Sequence, residues 1–180
     1  MTVRFALGAG ALVRPFEPED AEELFAVVDG ERARLEAWLG WVGLVRDAED
    51  ERAWIEGTRD PLERLGIFVD GRVGGGIGMH RDPFGVWGEI GYWVASAFEG
   101  RGLVTAATRA LIDHAFRELG LHRIEIQAAP GNARSRAIPE RLGFRREGVR
   151  REAGRSPGGY VDLVVYGLLE DEWPGGGGYL

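Results

Sequence analysis

The part of the chain that most constrains its fold is a predicted strand over residues 86–94 that leads through two glycines into a long amphipathic helix. From position 104 onward, mostly apolar side chains recur at offsets of 0, 3, 4, 7, 8, 11, 12 and 15, which is the spacing of one buried helix face. These positions are Val104, Ala107, Thr108, Leu111, Ile112, Ala115, Phe116 and Leu119. Gly120 then predicts the end of the helix. The succession predicts a helix packed against a β-sheet.

The two glycines, Gly100 and Gly102, stand immediately before this helix. Glycine has no Cβ atom, so a ligand can come close to the backbone at both positions. The N–H groups of the first helical turn have no partner within the helix and carry a partial positive charge. A glycine loop followed by a helix N-terminus therefore predicts a phosphate-binding cradle. A structural turn without a ligand is the alternative interpretation.

A second motif follows about 30 residues later and reads N-x-x-S-x-x-x-x-E-x-x-G-F, from Asn132 and Ser135 to Gly143 and Phe144. Asn132 can cap the start of a helix, and Gly143 can end it. Asn132 is the single asparagine of the chain, and all 22 basic residues are arginine. The motif predicts a short helix whose first turn has either a structural or a binding role.

The rest of the chain alternates between strand and helix patterns. Five further strands are predicted, over residues 12–15, 65–69, 73–80, 123–128 and 161–169. Helices are predicted after Pro18 and over residues 47–58, with an irregular helical hairpin at 39–45. Trp38, Trp41 and Trp54 lie in or beside these helical segments and are interpreted as core residues. The mixed order of elements predicts an α+β fold.

Length and composition set the class of protein. A chain of 180 residues predicts one domain, which we place at residues 1–173, with a flexible glycine-rich tail at 174–180. The absence of cysteine excludes disulfides, a thiolate nucleophile and a cysteine metal site. No apolar run is long enough to span a membrane, and the first residues do not resemble a signal peptide. The expectation is a cytoplasmic enzyme.

The charge of the chain bears on its partners. The net charge of −7 disfavours a nucleic-acid-binding protein, which needs a basic surface. It favours a cationic substrate, which an acidic protein attracts over a long range. Arginine is clustered from Arg134 to Arg155, so the electric field around the protein is not uniform. No membrane partner is expected, and a homodimer is left open.

Taken in order, the elements of residues 86–173 resemble the GCN5-related N-acetyltransferase (GNAT) family. The matching order is a strand, the G-x-G loop, a long helix, a strand, the N-x-x-S helix, Gly-Phe and two final strands. Residues 136–144 and 159–169 resemble the branch that acetylates the N-termini of ribosomal proteins, often called RimJ/RimL-type. The resemblance implies a mixed, mostly antiparallel central sheet, splayed between the fourth and fifth predicted strands and flanked by helices.

The resemblance also implies the donor, acetyl-CoA, and the residues that bind it. The N–H groups of the loop would wrap the pyrophosphate, and the pantetheine arm would lie in the gap beside the strand that ends at Val94. Asn132 would hydrogen-bond this arm, and Ser135 would protonate the thioester sulfur. The complete set of implied donor-binding residues is Trp93, Val94, Gly100, Arg101, Gly102, Leu103, Val104, Thr105, Asn132 and Ser135. One departure is Ala97, where the family usually has Gln or Arg.

Acetyl transfer needs a neutral amine against the thioester carbonyl and a stabilised leaving thiolate. Direct attack in a ternary complex provides this by proximity, and the absence of cysteine excludes an acyl-cysteine intermediate. Relatives carry a general-base glutamate before the final strand, where this chain has Gly154. Glu152 lies two residues away and faces the same way if the strand is regular. Glu89 and Glu125 are the other candidates for the base.

The acceptor is expected to be a primary amine. The pKa of the amine favours an N-terminal α-amine of a protein or peptide over a lysine side chain. An α-amine has a pKa near 8 and a lysine side chain one near 10.4, so neutralising the lysine costs about 3 kcal/mol more. A site without a certain base therefore suits the α-amine better. In this family the helices at residues 18–58 wall one side of the acceptor cleft.

Other functions remain as alternatives. Within the enzyme class they are a small-molecule amine acetyltransferase and a succinyltransferase. Outside it, the chain would be a non-catalytic CoA-binding sensor, which the presence of Asn132 and Ser135 argues against. The three histidines lie far apart without ligand spacing, so no metal is expected. The serines lack the sequence context of a hydrolase nucleophile.

Overall fold

The computed structural model describes residues 3–174, in which eight strands form one continuous sheet. The strands are β1 Phe5–Gly8, β2 Ala11–Pro15, β3 Leu65–Val69, β4 Arg72–Arg81, β5 Trp87–Val94, β6 Arg123–Ala128, β7 Arg145–Ser156 and β8 Gly159–Leu169. The helices are α1 Ala21–Gly30, α2 Arg32–Glu36, α3 Ala48–Gly57, α4 Leu103–Arg117 and α5 Ala133–Arg141. The predicted glycine-rich tail lies, except for Pro174, outside the described residues.

The strands are arranged in the order β1-β2-β3-β4-β5-β6-β8-β7, and every neighbouring pair is antiparallel except β5 and β6. The parallel pair is short, because it joins only Trp87 to Arg123, Gly88 to Ile124 and Glu89 to Glu125. Beyond Glu89 the two strands separate. The predicted splay is confirmed, and it falls between β5 and β6 because β1 precedes the first strand predicted from the sequence.

All six strands predicted from local patterns are present. β1 was not predicted, since it is short and lies next to a turn with positive φ at Gly8, Ala9 and Gly10. β7 has no apolar alternation, because it is an edge strand whose side chains are mostly exposed. It carries five arginines, which suits an unpaired sheet edge.

Two hydrophobic cores cover the two faces of the sheet. The face with Ile90 packs against α4, whose predicted apolar stripe is buried from Val104 to Phe116. The opposite face packs against α1–α3 and includes Phe16, Leu24 and Ile55. Within residues 3–174, no helix is long and apolar enough to cross a membrane.

The prediction that Trp38, Trp41 and Trp54 belong to the core was wrong. They are 45%, 38% and 42% exposed. The core on their side is filled by smaller apolar side chains together with Phe16 and Phe68, and Trp54 meets Phe16 only at its edge, with ring centroids 6.2 Å apart. The exposed indoles of Trp38 and Trp41 are instead available to line a cleft.

Candidate active site

The separation of β5 from β6 leaves a wedge-shaped opening, which we call the split. The backbone N–H of Ala95 donates to Gly74 of the preceding segment at 2.8 Å. Because adjacent residues of a strand point their backbone groups to opposite edges, Tyr92 and Val94 turn theirs toward the split. An extended ligand that carries amides can pair with this edge as an additional strand does.

The glycine loop at the mouth of the split has the predicted form. Gly100 and Gly102 both have φ of +73°, a left-handed conformation that favours glycine, and Gly102 caps the N-terminus of α4. A Cβ atom at either position would meet no protein atom within 4 Å, so the space in front of the loop is open. Within residues 3–174, the backbone N–H groups of residues 101–105 donate to no other group. Together with the positive end of the helix dipole, they fit an anion such as pyrophosphate.

Two arginines that the sequence did not single out lie on the side of this cradle toward β1 and α5. Arg141, from α5, donates from Nη1 to Thr105 Oγ1 at 3.1 Å. Arg109 and Arg141 line a groove of about 520 Å³ that also includes Gly102, Thr105 and one carboxylate, that of Asp113. The groove continues from the cradle, so a ligand bound there by one phosphate group has further cationic contacts available.

Asn132 has the structural role that the sequence left open, and its geometry is compatible with the binding role as well. Its side-chain Oδ1 accepts a hydrogen bond from the backbone N–H of Ser135 at 3.1 Å and so caps α5. Its Nδ2 group donates no hydrogen bond to the described residues. The cap therefore fixes the side chain and leaves a donor for a ligand.

Tyr92 connects β5 to α5 across the split, and no motif or periodic pattern in the sequence marks it. Pro139 lies within α5 and has no N–H, so the carbonyl of Ser135 lacks its usual helical partner. The Tyr92 hydroxyl donates to this carbonyl at 2.9 Å. Burial raises the pKa of Tyr92 to about 12, so the hydroxyl remains protonated at neutral pH. The Ser135 hydroxyl itself makes no hydrogen bond within the described chain.

Glu89 lies at the base of the split, in the last pair that joins β5 to β6. Burial and the nearby charge of Glu125 raise its pKa, although Arg150 and His80 oppose the shift. The side-chain amide of Gln127 donates to Glu89 Oε2 at 3.0 Å, and Arg150 donates to Gln127 Oε1 at 3.0 Å. A half-buried carboxylate with a raised pKa and a fixed orientation suits a general base.

Two other carboxylates are less suited to this role. Glu125 is paired with the guanidinium of Arg123, with its Oε1 2.8 Å from Nη2. Glu152 is exposed and has a φ of +51°. The condition that this strand is regular is not met, because Arg150 pairs with Leu163 and Gly154 with Val161, so three residues of β7 face one residue of β8. This bulge removes the alternation on which the orientation of Glu152 depended.

An aromatic segment between α2 and α3 lies on the face of the sheet that carries Glu89. The rings of Trp41 and Trp93 lie 6.4 Å apart between centroids. A Cβ atom on Gly131 would lie 3.5 Å from Trp38 Cη2, and one on Gly40 would lie 3.2 Å from the carbonyl oxygen of Arg155. Residues 37–44, which we call the aromatic wall, therefore contact β5, β7 and the turn before α5.

The structure thus brings together most of the residues predicted from the sequence. Val94, Asn132, Ser135 and the loop residues 100–105 surround the split and its mouth. Trp93 differs from the prediction: its backbone points toward β4, and its side chain lies against the aromatic wall and beside Gly76, where a Cβ atom would be 2.5 Å from its Nε1. Glu152 lies apart on the bulged edge strand.

Comparison with known proteins agrees with this geometry. The acetyltransferase (GNAT) domain family matches residues 11–145. YdaF of Bacillus subtilis, named as a candidate ribosomal N-acetyltransferase, is 41% identical over 91% of this chain and 93% of its own. The ribosomal-protein-serine acetyltransferase of Escherichia coli is 28% identical over 82% of this chain and 86% of its own.

A solved structure with the same fold contains bound CoA-disulfide. RimJ of Mycobacterium smegmatis, in complex with CoA-disulfide, is 27% identical, superposes with a TM-score of 0.83 and covers 96% of this chain and 88% of its own. The split, the glycine cradle, the matched sequence family and this likeness agree with one another. The chain therefore belongs to the GNAT family of N-acetyltransferases.

Proposed function

We propose that this N-acetyltransferase transfers the acetyl group of acetyl-CoA to the N-terminal α-amine of a protein, by direct attack in a ternary complex. The observation that carries the proposal is the split, which has an anion cradle at its mouth and a carboxylate of raised pKa at its base. The names of the two relatives, both ribosomal acetyltransferases, support a protein acceptor. A ribosomal protein acceptor implies a reaction in the cytoplasm.

The donor would be held by backbone groups more than by side chains. The N–H groups of Arg101, Gly102, Leu103, Val104 and Thr105 bind the pyrophosphate, and the free edge of β5 pairs with the amides of the pantetheine arm. The free Nδ2 of Asn132 adds a hydrogen bond from the opposite side of the split. The groove beside Arg109 and Arg141 accepts the nucleotide end, where positive charge matches a phosphate.

Two side chains would transfer the protons, and a third would orient one of them. Glu89 accepts the proton that the amine loses, directly or through a water, and Gln127 fixes the orientation of its carboxylate. Ser135 donates a proton to the departing sulfur, since its hydroxyl has no partner in the described chain, while Tyr92 and Asn132 hold its own backbone C=O and N–H groups in place. The aromatic wall and Trp93 line the path of the acceptor.

Small-molecule amines and a succinyl donor remain alternative substrates of the same site. The Ser135 hydroxyl has no hydrogen-bond partner in the described chain, and the pKa of Glu89 is raised. Both features argue against a CoA-binding sensor, which needs neither group. A comparison of peptides with free and blocked N-termini distinguishes these acceptor classes.

We expect acetylation of a ten-residue peptide with a free N-terminal serine and little reaction with an N-terminally blocked peptide that contains lysine. The reason is the lower pKa of the α-amine, which leaves far more of it neutral at pH 7. Thiol release from acetyl-CoA and mass spectrometry measure both reactions. Equal rates on the two peptides contradict the α-amine preference, and activity only on polyamines moves the enzyme to small-molecule acetylation.

The cradle is tested with Gly102→Val. In the wild type, CoA at a hundredfold excess over its Kd stabilises the fold by about 2.7 kcal/mol, or roughly 5–10 °C in Tm. Gly102→Val is expected to lose this shift, because its side chain fills the open space in front of the N–H groups. Gly120→Val is the matched control, since Gly120 also has a positive φ and open space but lies beyond the other end of α4. A full CoA shift in Gly102→Val contradicts the cradle.

Ser135→Ala is expected to lower kcat by about 10²-fold and to leave the Kd for CoA unchanged, because the hydroxyl acts when the thiolate leaves. Ser135→Cys keeps a transferable proton and is expected to retain more activity. Steady-state kinetics and calorimetry measure the two quantities. An unchanged kcat with a weaker Kd makes Ser135 a binding residue instead.

Glu89→Gln tests the general base. Because its pKa is raised, Glu89 acts as a base only above that raised value, so wild-type kcat/KM falls on the acidic side of the profile. The variant is expected to lose about 10²-fold at pH 7 and to recover as the pH approaches the pKa of the amine. Glu152→Gln is the matched control. If Glu152→Gln shows this behaviour and Glu89→Gln does not, the assignment is reversed.

A further inference from the structure

A charged cluster joins the donor cradle to the aromatic wall, and we call it the Arg34 network. It consists of Glu31 and Arg34 near the α1–α2 junction, Ser96 and Glu99 before the cradle, and Arg134 in α5. Its members come from three separate parts of the chain that surround the mouth of the split. None of them was singled out as a site residue from the sequence.

All three guanidinium nitrogens of Arg34 donate hydrogen bonds. Its Nε donates to Glu31 Oε2 at 2.6 Å, its Nη1 to Glu99 Oε1 at 2.9 Å and its Nη2 to the carbonyl oxygen of Val94 at 2.7 Å. The planar fork of arginine fits three acceptors in fixed directions. Arg34 is thus held to one group of its own segment and to two groups on the donor side.

The two donor-side contacts lie where CoA is proposed to bind. The carbonyl of Val94 belongs to the free edge of β5 that faces the split, and Glu99 directly precedes Gly100 of the cradle. The second carboxylate oxygen of Glu99 accepts a hydrogen bond from Arg134, on the opposite side of the split. Glu99 therefore lies between two arginines and next to the proposed pyrophosphate position.

Glu31 provides a second connection between the α1–α2 junction and the segment before the cradle. It accepts hydrogen bonds from the backbone N–H of Ser96 at 2.8 Å and from its hydroxyl at 2.5 Å. Burial alone would raise the pKa of Glu31, but the bonds from Ser96 and Arg34 outweigh it and the pKa is lowered. Glu31 is therefore ionised at neutral pH, and the segment before α2 is fixed to the turn before the cradle.

The same short helix leads directly into the aromatic wall. α2 ends at Glu36, and the following residues place Trp38 beside Gly131 and Trp41 beside Trp93. A shift of α2 relative to the cradle therefore changes the position of the wall that the acceptor meets.

Arg32, two residues before Arg34 in α2, donates hydrogen bonds to its own part of the chain. It donates to the carbonyl oxygens of Val42 at 2.7 Å and Val45 at 2.8 Å, and to Asp29 at 2.9 Å. These contacts hold the wall segment together. Arg32 has no hydrogen bond to the donor side within the described residues, so it is a matched control for Arg34.

We propose that Arg34 is a positioning residue that couples CoA binding to the aromatic wall, so that the acceptor binds more tightly when the donor is bound. The inference rests on the proposed donor site. Pyrophosphate at the cradle attracts Arg34 and repels the adjacent Glu99. Arg34 then pulls α2 toward the cradle and reduces the freedom of the wall. The wall has then already lost conformational entropy, so binding of the acceptor is more favourable.

The first test uses CoA alone and needs no acceptor. Amide hydrogen exchange of residues 32–44 is expected to slow when CoA binds to the wild type. In Arg34→Met, CoA is expected to bind and still protect residues 100–105, while the protection of residues 32–44 is lost. Arg32→Met is expected to exchange faster throughout and yet to keep the CoA-dependent slowing. Slowing that persists in Arg34→Met, or its absence in the wild type, overturns the proposal.

The second test measures the coupling itself. The Kd of the serine-initiated peptide is determined with and without saturating CoA, which has no acetyl group to transfer. The wild type is expected to show a ratio in the range of about 5- to 150-fold, Arg34→Met a ratio near 1, and Arg32→Met the wild-type ratio. An unchanged ratio in Arg34→Met contradicts the coupling role. If the wild type binds and acetylates no peptide, the acceptor proposal fails, and the exchange experiment still decides the role of Arg34.

Discussion

The incomplete pairing of β5 with β6 is the constraint on which the site depends. Backbone N–H and C=O groups that lose a strand partner need another one, and an open edge inside a sheet is costly unless a ligand or side chain satisfies it. Here Arg34 takes one such group, the carbonyl of Val94, and the rest of this edge remains available. The same opening lets Tyr92 reach Ser135 on α5. The proposed donor site is therefore an incompletely paired stretch of the sheet that the fold maintains.

Charge around the split is arranged in three separate layers. The backbone of residues 101–105 and the dipole of α4 supply positive potential at the mouth without any charged side chain. Arginines from α2 and α5 surround that position, and Glu99 lies between Arg34 and Arg134. Glu89 lies at the base, where burial raises its pKa. The positive potential at the mouth and the carboxylate at the base are thus separated along the split, which suits the proposed acetyl transfer from CoA to a neutral amine.

Much of this arrangement follows from local patterns in the sequence. The buried stripe of α4, the glycine cradle and the cap by Asn132 each depend on residues within about one helix length of one another. Glu152 shows the opposite case. Its predicted orientation required a regular strand, but β7 bulges between Arg150 and Gly154, and nothing in the local sequence marks this irregularity. The tryptophans were misplaced for a related reason, because an aromatic residue suits both a core and a cleft wall.

The sequence by itself determined the α+β class, the order of six of the eight strands, the glycine loop before α4 and the GNAT resemblance, since these depend on hydrophobic period, glycine conformation and motif order. Only the tertiary structure decided which charged and polar groups work together. Tyr92 and Ser135 are 43 positions apart, and Arg34 meets Val94 and Glu99 across 60 and 65 positions. Such contacts leave no periodic signal in a single chain, because they depend on how the sheet opens and how the helices pack against it.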